Sequence, residues 1–272
     1  MNFNKQKLQS DRTKNFFILA GEEMKHGITI IFLYILILIL FGGVVDSWAE
    51  ENSPTASGSV AFLGKYIWRG YELSDKSMVV QPSITFAYKG SAFNIWGNLD
   101  PDPPDSNAVL NETDLTVSYD ASIGFFGLGA GYIYYGLDGM DDTQEIYLKA
   151  SYDGFLTPTL TMYRDISSLP GYYFNLGLSH SFSLTDAIIL NLSGAFGYSI
   201  SNDDSIVEAG TNDKYKGLQD GMLSASLSIP AAKYITVSPT VSYAFAISDK
   251  AEDSLGISTG DAFCGLVLSF AF

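Results

Sequence analysis

The sequence predicts an all-β protein, a closed antiparallel transmembrane β-barrel of about twelve strands with short periplasmic turns and longer extracellular loops. Three observations predict it. The 272 residues carry one long apolar run near the N-terminus and no second window apolar enough for a helical span. Beyond that run, apolar residues recur at every second position, the period of a strand with one greasy face. The segments joining the alternating stretches are alternately short and long, as in barrels that cross a membrane. Composition agrees, since charged residues make up 17% of the sequence where soluble domains carry about 25%.

The first 49 residues read as an address. Residues 28–41, ITIIFLYILILILF, contain no charge; Lys25 precedes them, and Ser47-Trp48-Ala49 places small residues at the −3 and −1 positions of a cleavage site. That is the order of a secretory signal, cut after Ala49. An uncleaved anchor is the rival, because the uncharged stretch from Gly27 to Val45 approaches the ~20 residues of a span. Gly42-Gly43 and the small-x-small site favour cleavage. Met24 is a natural start, so residues 1–23 are expected to be a non-native extension, 24–49 a signal peptide and 50–272 an outer-membrane barrel.

Marking the alternating runs in order places strands at residues 58–69, 79–89, 91–99, 111–119, 122–135, 143–152, 156–165, 171–182, 187–198, 217–229, 234–246 and 262–272. Most are longer than the ~5–6 residues of soluble strands and fit the ~9–11 needed to cross a membrane. In the last run, Cys264, Leu266, Leu268, Phe270 and Phe272 share one parity and Phe263, Gly265, Val267, Ser269 and Ala271 the other. Small and polar residues collect on the inward parity, among them Gly127, Gly129, Gly131, Asn175, Ser179, Asn191, Ser193, Ser224 and Ser226. The glycines there read as relief of crowding in a narrow barrel. Connections after even-numbered strands are tight, at Lys89-Gly90, Asp120-Ala121, Asp153-Gly154 and residues 184–186 and 230–233. Those after odd-numbered strands are longer and more polar, such as residues 100–110, 199–216 and 247–261.

Several function classes fall away. A net charge of −15 with no basic stripe excludes nucleic acid as a partner. One cysteine excludes a disulfide framework and a cysteine-based zinc site. His26 lies in the leader, and His180 falls on the apolar face near a tight turn, an interfacial position. With no nucleophile and base pair, the expectation is no catalysis, no cofactor and no metal site. Clustered acids in the outer loops (Asp100, Asp102 and Asp105; Asp203, Asp204 and Glu208) do not fit calcium-loop spacing and read as solvated, mutually repelling loops.

Ionisable residues of inward parity are the lumen candidates: Lys65 and Arg69 on the first strand, Glu112 and Asp114 on the fourth, Glu145 and Lys149 on the sixth. Charge inside a membrane element is costly unless paired or hydrated. These six form either a charged constriction that selects solutes or a structural network filling a narrow interior. The lipid-interface candidates are Trp68, read as lipid-facing, Arg164 at the outer rim, His180 and the C-terminal Phe272. Arg164 suits lipopolysaccharide phosphate or simple snorkelling.

The run Gly64-Lys65-Tyr66-Ile67-Trp68-Arg69-Gly70, followed by Leu73-Ser74-Asp75-Lys76, Gln81-Pro82-Ser83 and Asn94-Ile95-Trp96-Gly97-Asn98, carries a further signal. It resembles a family of uncharacterised outer-membrane proteins of Gram-negative bacteria, marked by Y-[IV]-[FW]-R-G on the first mature strand and a downstream Q-P. Gly131-Tyr132-Ile133-Tyr134-Tyr135-Gly136 resembles the family's central motif, G-Y-x-Y-Y. The resemblance implies a barrel and no established activity. A final strand ending in Phe272 also resembles the signal read by the barrel-assembly machinery. The functional expectation is a passive channel for small hydrophilic solutes. A closed barrel with a structural or surface-binding role is the alternative, and a lipid-modifying enzyme a distant third.

Overall fold

Twelve strands hydrogen-bond in a ring, each antiparallel to its neighbours. The computed structural model describes residues 53–74, 77–103, 108–257 and 260–271. The expected leader and its cleavage site, Asp75, Lys76, Asp105 and Phe272 lie outside the described residues.

The wall consists of β1 (Thr55–Leu63), β4 (Val79–Tyr88), β5 (Ser91–Leu99), β6 (Leu110–Ile123), β7 (Phe126–Leu137), β8 (Thr143–Tyr152), β9 (Thr159–Asp165), β10 (Gly171–Ser183), β11 (Ile189–Ser201), β12 (Lys216–Ala232), β13 (Ile235–Ala246) and β14 (Asp261–Ala271). Closure is made by β1 against β14, in register from Ser57 opposite Ala271 to Leu63 opposite Gly265. No helix among the described residues is long and apolar enough to cross a membrane. The strands do the crossing, because a closed ring pairs every backbone donor and acceptor within the wall.

The two-residue period sorts the faces as expected. Outward residues are apolar, as with Val117 at 56% exposure and Leu223 at 49%, and they form the lipid-facing belt. Inward residues oppose one another across the strands as small polar pairs: Ser59 opposite Ser83, Ser193 opposite Ser224, Asn191 opposite Ser226. Short turns and long loops alternate from β4 to β7 and again from β11 to β14, while the connections between, at 138–142, 153–158, 166–170 and 184–188, are five or six residues each. One turn moves. The fourth strand does not stop at Tyr119 but continues to Ile123, because Ser118, Asp120 and Ser122 go on pairing with Gly131, Gly129 and Gly127. The reversal falls at Gly124-Phe125, where Gly124 takes the positive φ of 60°, so Asp120 is a wall residue and not a turn residue.

The larger correction concerns the first strand. The wall ends at Leu63, and the backbone leaves it. Two short strands, β2 (Ile67–Trp68) and β3 (Tyr71–Glu72), pair only with each other. Their two-residue turn, Arg69-Gly70, has φ of 50° and 84°, as the type I′ hairpin demands. The loop before β14 carries helix α1 (Asp249–Leu255), capped by the Ser248 side chain at its start and by left-handed Gly256 at its end.

Candidate functional site

The hairpin of residues 65–73 turns inward and is held across the lumen by residues far away in sequence. The Arg69 guanidinium makes a bidentate pair with Glu145 on β8, at 2.8 and 2.7 Å. The same guanidinium lies over the rings of Trp68, Tyr163 and Tyr173, at 4.4, 4.7 and 4.3 Å from their centroids. Tyr135 donates its hydroxyl to the second Glu145 oxygen at 2.9 Å. On β12, four strands round the ring, the Gln219 side-chain amide donates to the Arg69 carbonyl at 2.9 Å. A planar, always-charged group with five donors suits this mixture of fork and stacking better than an ammonium would.

Local geometry on β12 supplies the far anchor. A register irregularity lets residues 217–221 accommodate an extra residue against β11, and a bulge re-aims side chains. Gln219 and Asp220 are both buried there, one holding Arg69 and the other accepting from the Tyr173 hydroxyl at 2.9 Å. At the turn, a Cβ on Gly70 would sit 2.7 Å from the Asp220 Cβ and 2.9 Å from the Ile257 Cγ2. Glycine is required for space as well as for φ.

The base of the hairpin is stapled by Lys65, which bridges Asp261 at 2.7 Å and Glu72 at 2.9 Å. Its hydrogen bonds to Asp261 and then Glu72 hold the ammonium above its ordinary value of 10.5.

The six lumen candidates therefore divide. Glu112, Asp114, Glu145 and Lys149 are inward wall residues. Lys149 pairs with Asp120 at 2.6 Å, lower in the barrel, while Lys65 and Arg69 belong to the hairpin and not to a wall strand. Trp68 is corrected outright. Its ring packs against Tyr135 at 6.3 Å and against Arg69, inside the barrel, because the backbone left the wall five residues earlier. Arg164 does lie on the outer face, over the Tyr172 ring at 4.5 Å, donating to the Gly171 carbonyl. His180 lies on the outer face between Phe155 and Phe182, with ring centroids 4.9 and 4.5 Å away.

Residues that the sequence did not single out complete the site. Tyr163, Tyr173, Gln219 and Asp220 all gather round the hairpin. Parity places the tyrosines of β9 and β10 inward, yet nothing local shows that one arginine would collect them. A cavity of about 500 Å³ lies beside the hairpin, bordered by Tyr66, Trp68, Glu112 and Tyr135, by the charged Arg69, Glu145 and Asp165, and by apolar Leu73, Leu137 and Met140.

Burial divides the lumen along its length. Inward Ser179, Ser181 and Ser193 are open to solvent although the wall surrounds them. Inward Glu112, Tyr135, Glu145, Tyr173 and Asp220 are buried. The half nearer the short turns is thus hydroxyl-lined and open to solvent, and the other half is filled by the hairpin and its partners. Among the described residues, no group of three or more His, Cys, Asp or Glu is placed to hold a metal ion.

No family model matches the sequence, and no characterised protein matches it either. The fold is similar to solved outer-membrane barrels. The KdgM porin superposes with a TM-score of 0.53 at 10% identity, over 79% of this chain and 99% of that one. A NanC porin (TM-score 0.49, 10% identity, 80% of this chain and 99% of that one) is similar too. So is an outer membrane channel from Pseudomonas putida F1 (TM-score 0.49, 10% identity, 84% and 99%). At such identity the likeness is one of architecture.

Proposed function

We propose that the protein is a passive outer-membrane channel for small hydrophilic solutes, with a preference for cations and a bore set by the 65–73 hairpin. One observation carries this reading: the inward serines of the half nearer the short turns are open to solvent within a closed wall. A barrel built only as a scaffold would fill that space with side chains. The charge preference follows from the constriction. There Arg69 is neutralised by Glu145, while Glu112 and Asp114 have no cation partner among the described residues. A low-dielectric passage lined by uncompensated carboxylates concentrates cations and repels anions. The architecture shared with KdgM, whose name calls it a porin, is in keeping with it.

The same reading places the protein in the barrel family that its Y-I-W-R-G run resembles, with the run serving as the hairpin that narrows the bore. Outer-membrane lipid, lipopolysaccharide phosphate at Arg164 and the barrel-assembly machinery are the partners it entails. Removal of a signal after Ala49 belongs to it as well.

A second reading is favoured by the hairpin itself, which reaches from the end of β1 to β8 across the lumen and is bonded to β12 as well. On that reading the barrel is closed and serves a structural or surface-binding role. Single-channel recording of residues 50–272 in a planar bilayer under a KCl gradient separates the two. Reproducible steps with a cation-biased reversal potential are expected. A folded, heat-modifiable barrel that passes no current is the closed one.

A further inference from the structure

Arg69 shows what this wall does with a cation, closing a carboxylate on it from one side and aromatic rings from the others. Carboxylates and rings meet again one strand pair away, where no cation of the described residues pairs with a carboxylate. Asp114 on β6 stands in register between Trp96 on β5 and Tyr135 on β7. Tyr66 packs against Trp96, with centroids 5.7 Å apart. Glu112, two residues along on the same face and 7% exposed, interacts with the Tyr66 hydroxyl. Asp114 Oδ1 is buried and accepts no hydrogen bond from the described residues. The cavity of about 500 Å³ opens on Tyr66, Trp68, Glu112 and Tyr135, with apolar Leu73 and Leu137 in its border; the paired Arg69 and Glu145 also border it, whereas Asp114 stands next to Glu112 along the strand and off the border.

We infer that this corner of the lumen is a binding site for a small organic cation, an amine or guanidine with an apolar or aromatic body. Its charge would lie at Glu112 on the cavity border, with Asp114 two residues along the same face, and its body against the rings of Tyr66, Trp68 and Tyr135. Three physical arguments converge. Two carboxylates inside a membrane element call for positive charge. Aromatic faces attract cations, most strongly when water is excluded. A cavity of this size is that of small-molecule sites, typically ~300–1,000 Å³, with few polar groups in an apolar lining. Other carboxylates of the border are already engaged, Glu145 by Arg69, Glu72 by Lys65 and Asp165 by the Thr143 hydroxyl.

Trp96 and Trp68 both lie at the site. The third tryptophan, Trp48, precedes the expected cleavage point, so intrinsic fluorescence reports on binding. The full-length protein, expressed into a Gram-negative outer membrane and extracted in detergent, is titrated at neutral pH with phenethylamine and, separately, with uncharged 2-phenylethanol. A saturable change with the amine and none with the alcohol at equal concentration is expected. Asp114→Asn and Glu112→Gln should each raise the amine Kd at least tenfold in protein that remains heat-modifiable on gels. Equal binding of amine and alcohol by the wild-type protein overturns the inference, whatever the variants do. So does amine binding that is absent in the wild type or unchanged in both variants. The readout needs no current, so its outcome is independent of whether the barrel conducts.

Discussion

Arg69 answers to four elements at once: Glu145 on β8, the tyrosines of β9 and β10, and Gln219 on β12. Removing one partner of a buried ion pair costs about 3–5 kcal/mol, because the other charge is left without compensation. In Arg69→Ala that cost falls on the docked hairpin and leaves the wall's hydrogen bonds intact. Trp68 emission should shift to the red and single-channel conductance should rise, while the folded band on unheated gels stays in place. Arg69→Lys keeps the charge but loses the fork and the stacking, and should behave much more like the alanine variant than like the wild type. At the turn, Gly70→Ala meets both a positive φ and the Asp220 and Ile257 side chains. Backbone strain of this kind costs about 1–3 kcal/mol, so the same fluorescence shift is expected, smaller in extent.

The hairpin as an element contributes no bond to the barrel ladder. Replacing residues 66–72 with a Gly-Ser linker should therefore leave a heat-modifiable barrel with a wider, less selective pore. A non-folding deletion would show that the hairpin is needed to assemble the wall. Its staple has a defined pH response. Lys65 has its pKa raised in the folded state by Asp261 and Glu72, so its contribution is complete below the ordinary lysine value of 10.5 and is lost as pH rises through the raised one. Trp68 emission should stay constant from neutrality to about pH 10 and shift only in stronger alkali. Lys65→Met should abolish that alkaline step.

The whole molecule is an inverted protein, apolar outside and polar within, so its stability depends on the lipid face. Leu192 on β11 is 41% exposed on that face. Leu192→Arg should destabilise the barrel, by about 2–4 kcal/mol for a position at the bilayer midplane, measured by urea unfolding in lipid vesicles. Selectivity also belongs to this scale. The double variant Glu112→Gln, Asp114→Asn should move the reversal potential toward zero under a KCl gradient with the hairpin still docked.

The wall was legible in the sequence, because the signal that encodes it is local. Each strand must present alternate residues to lipid and to lumen. The parity of Leu190, Leu192, Gly194 and Phe196 against Asn191, Ser193, Ala195 and Gly197 can be read without knowing any partner strand. The same locality explains the failure at residues 64–72. Gly64 to Glu72 alternates as a wall strand does, and an inward hairpin has the same period as a crossing one. Arg69-Gly70 was the local clue, a two-residue turn between short apolar runs. Local pattern was thus enough for the twelve strands, their faces and the side of the wall on which each strand-borne charge lies. It was not enough to say which charges meet. Arg69 and Glu145 are 76 residues apart, and the stagger and closure of the barrel bring them to one level. Those are properties of the ring as a whole, carried by no single strand.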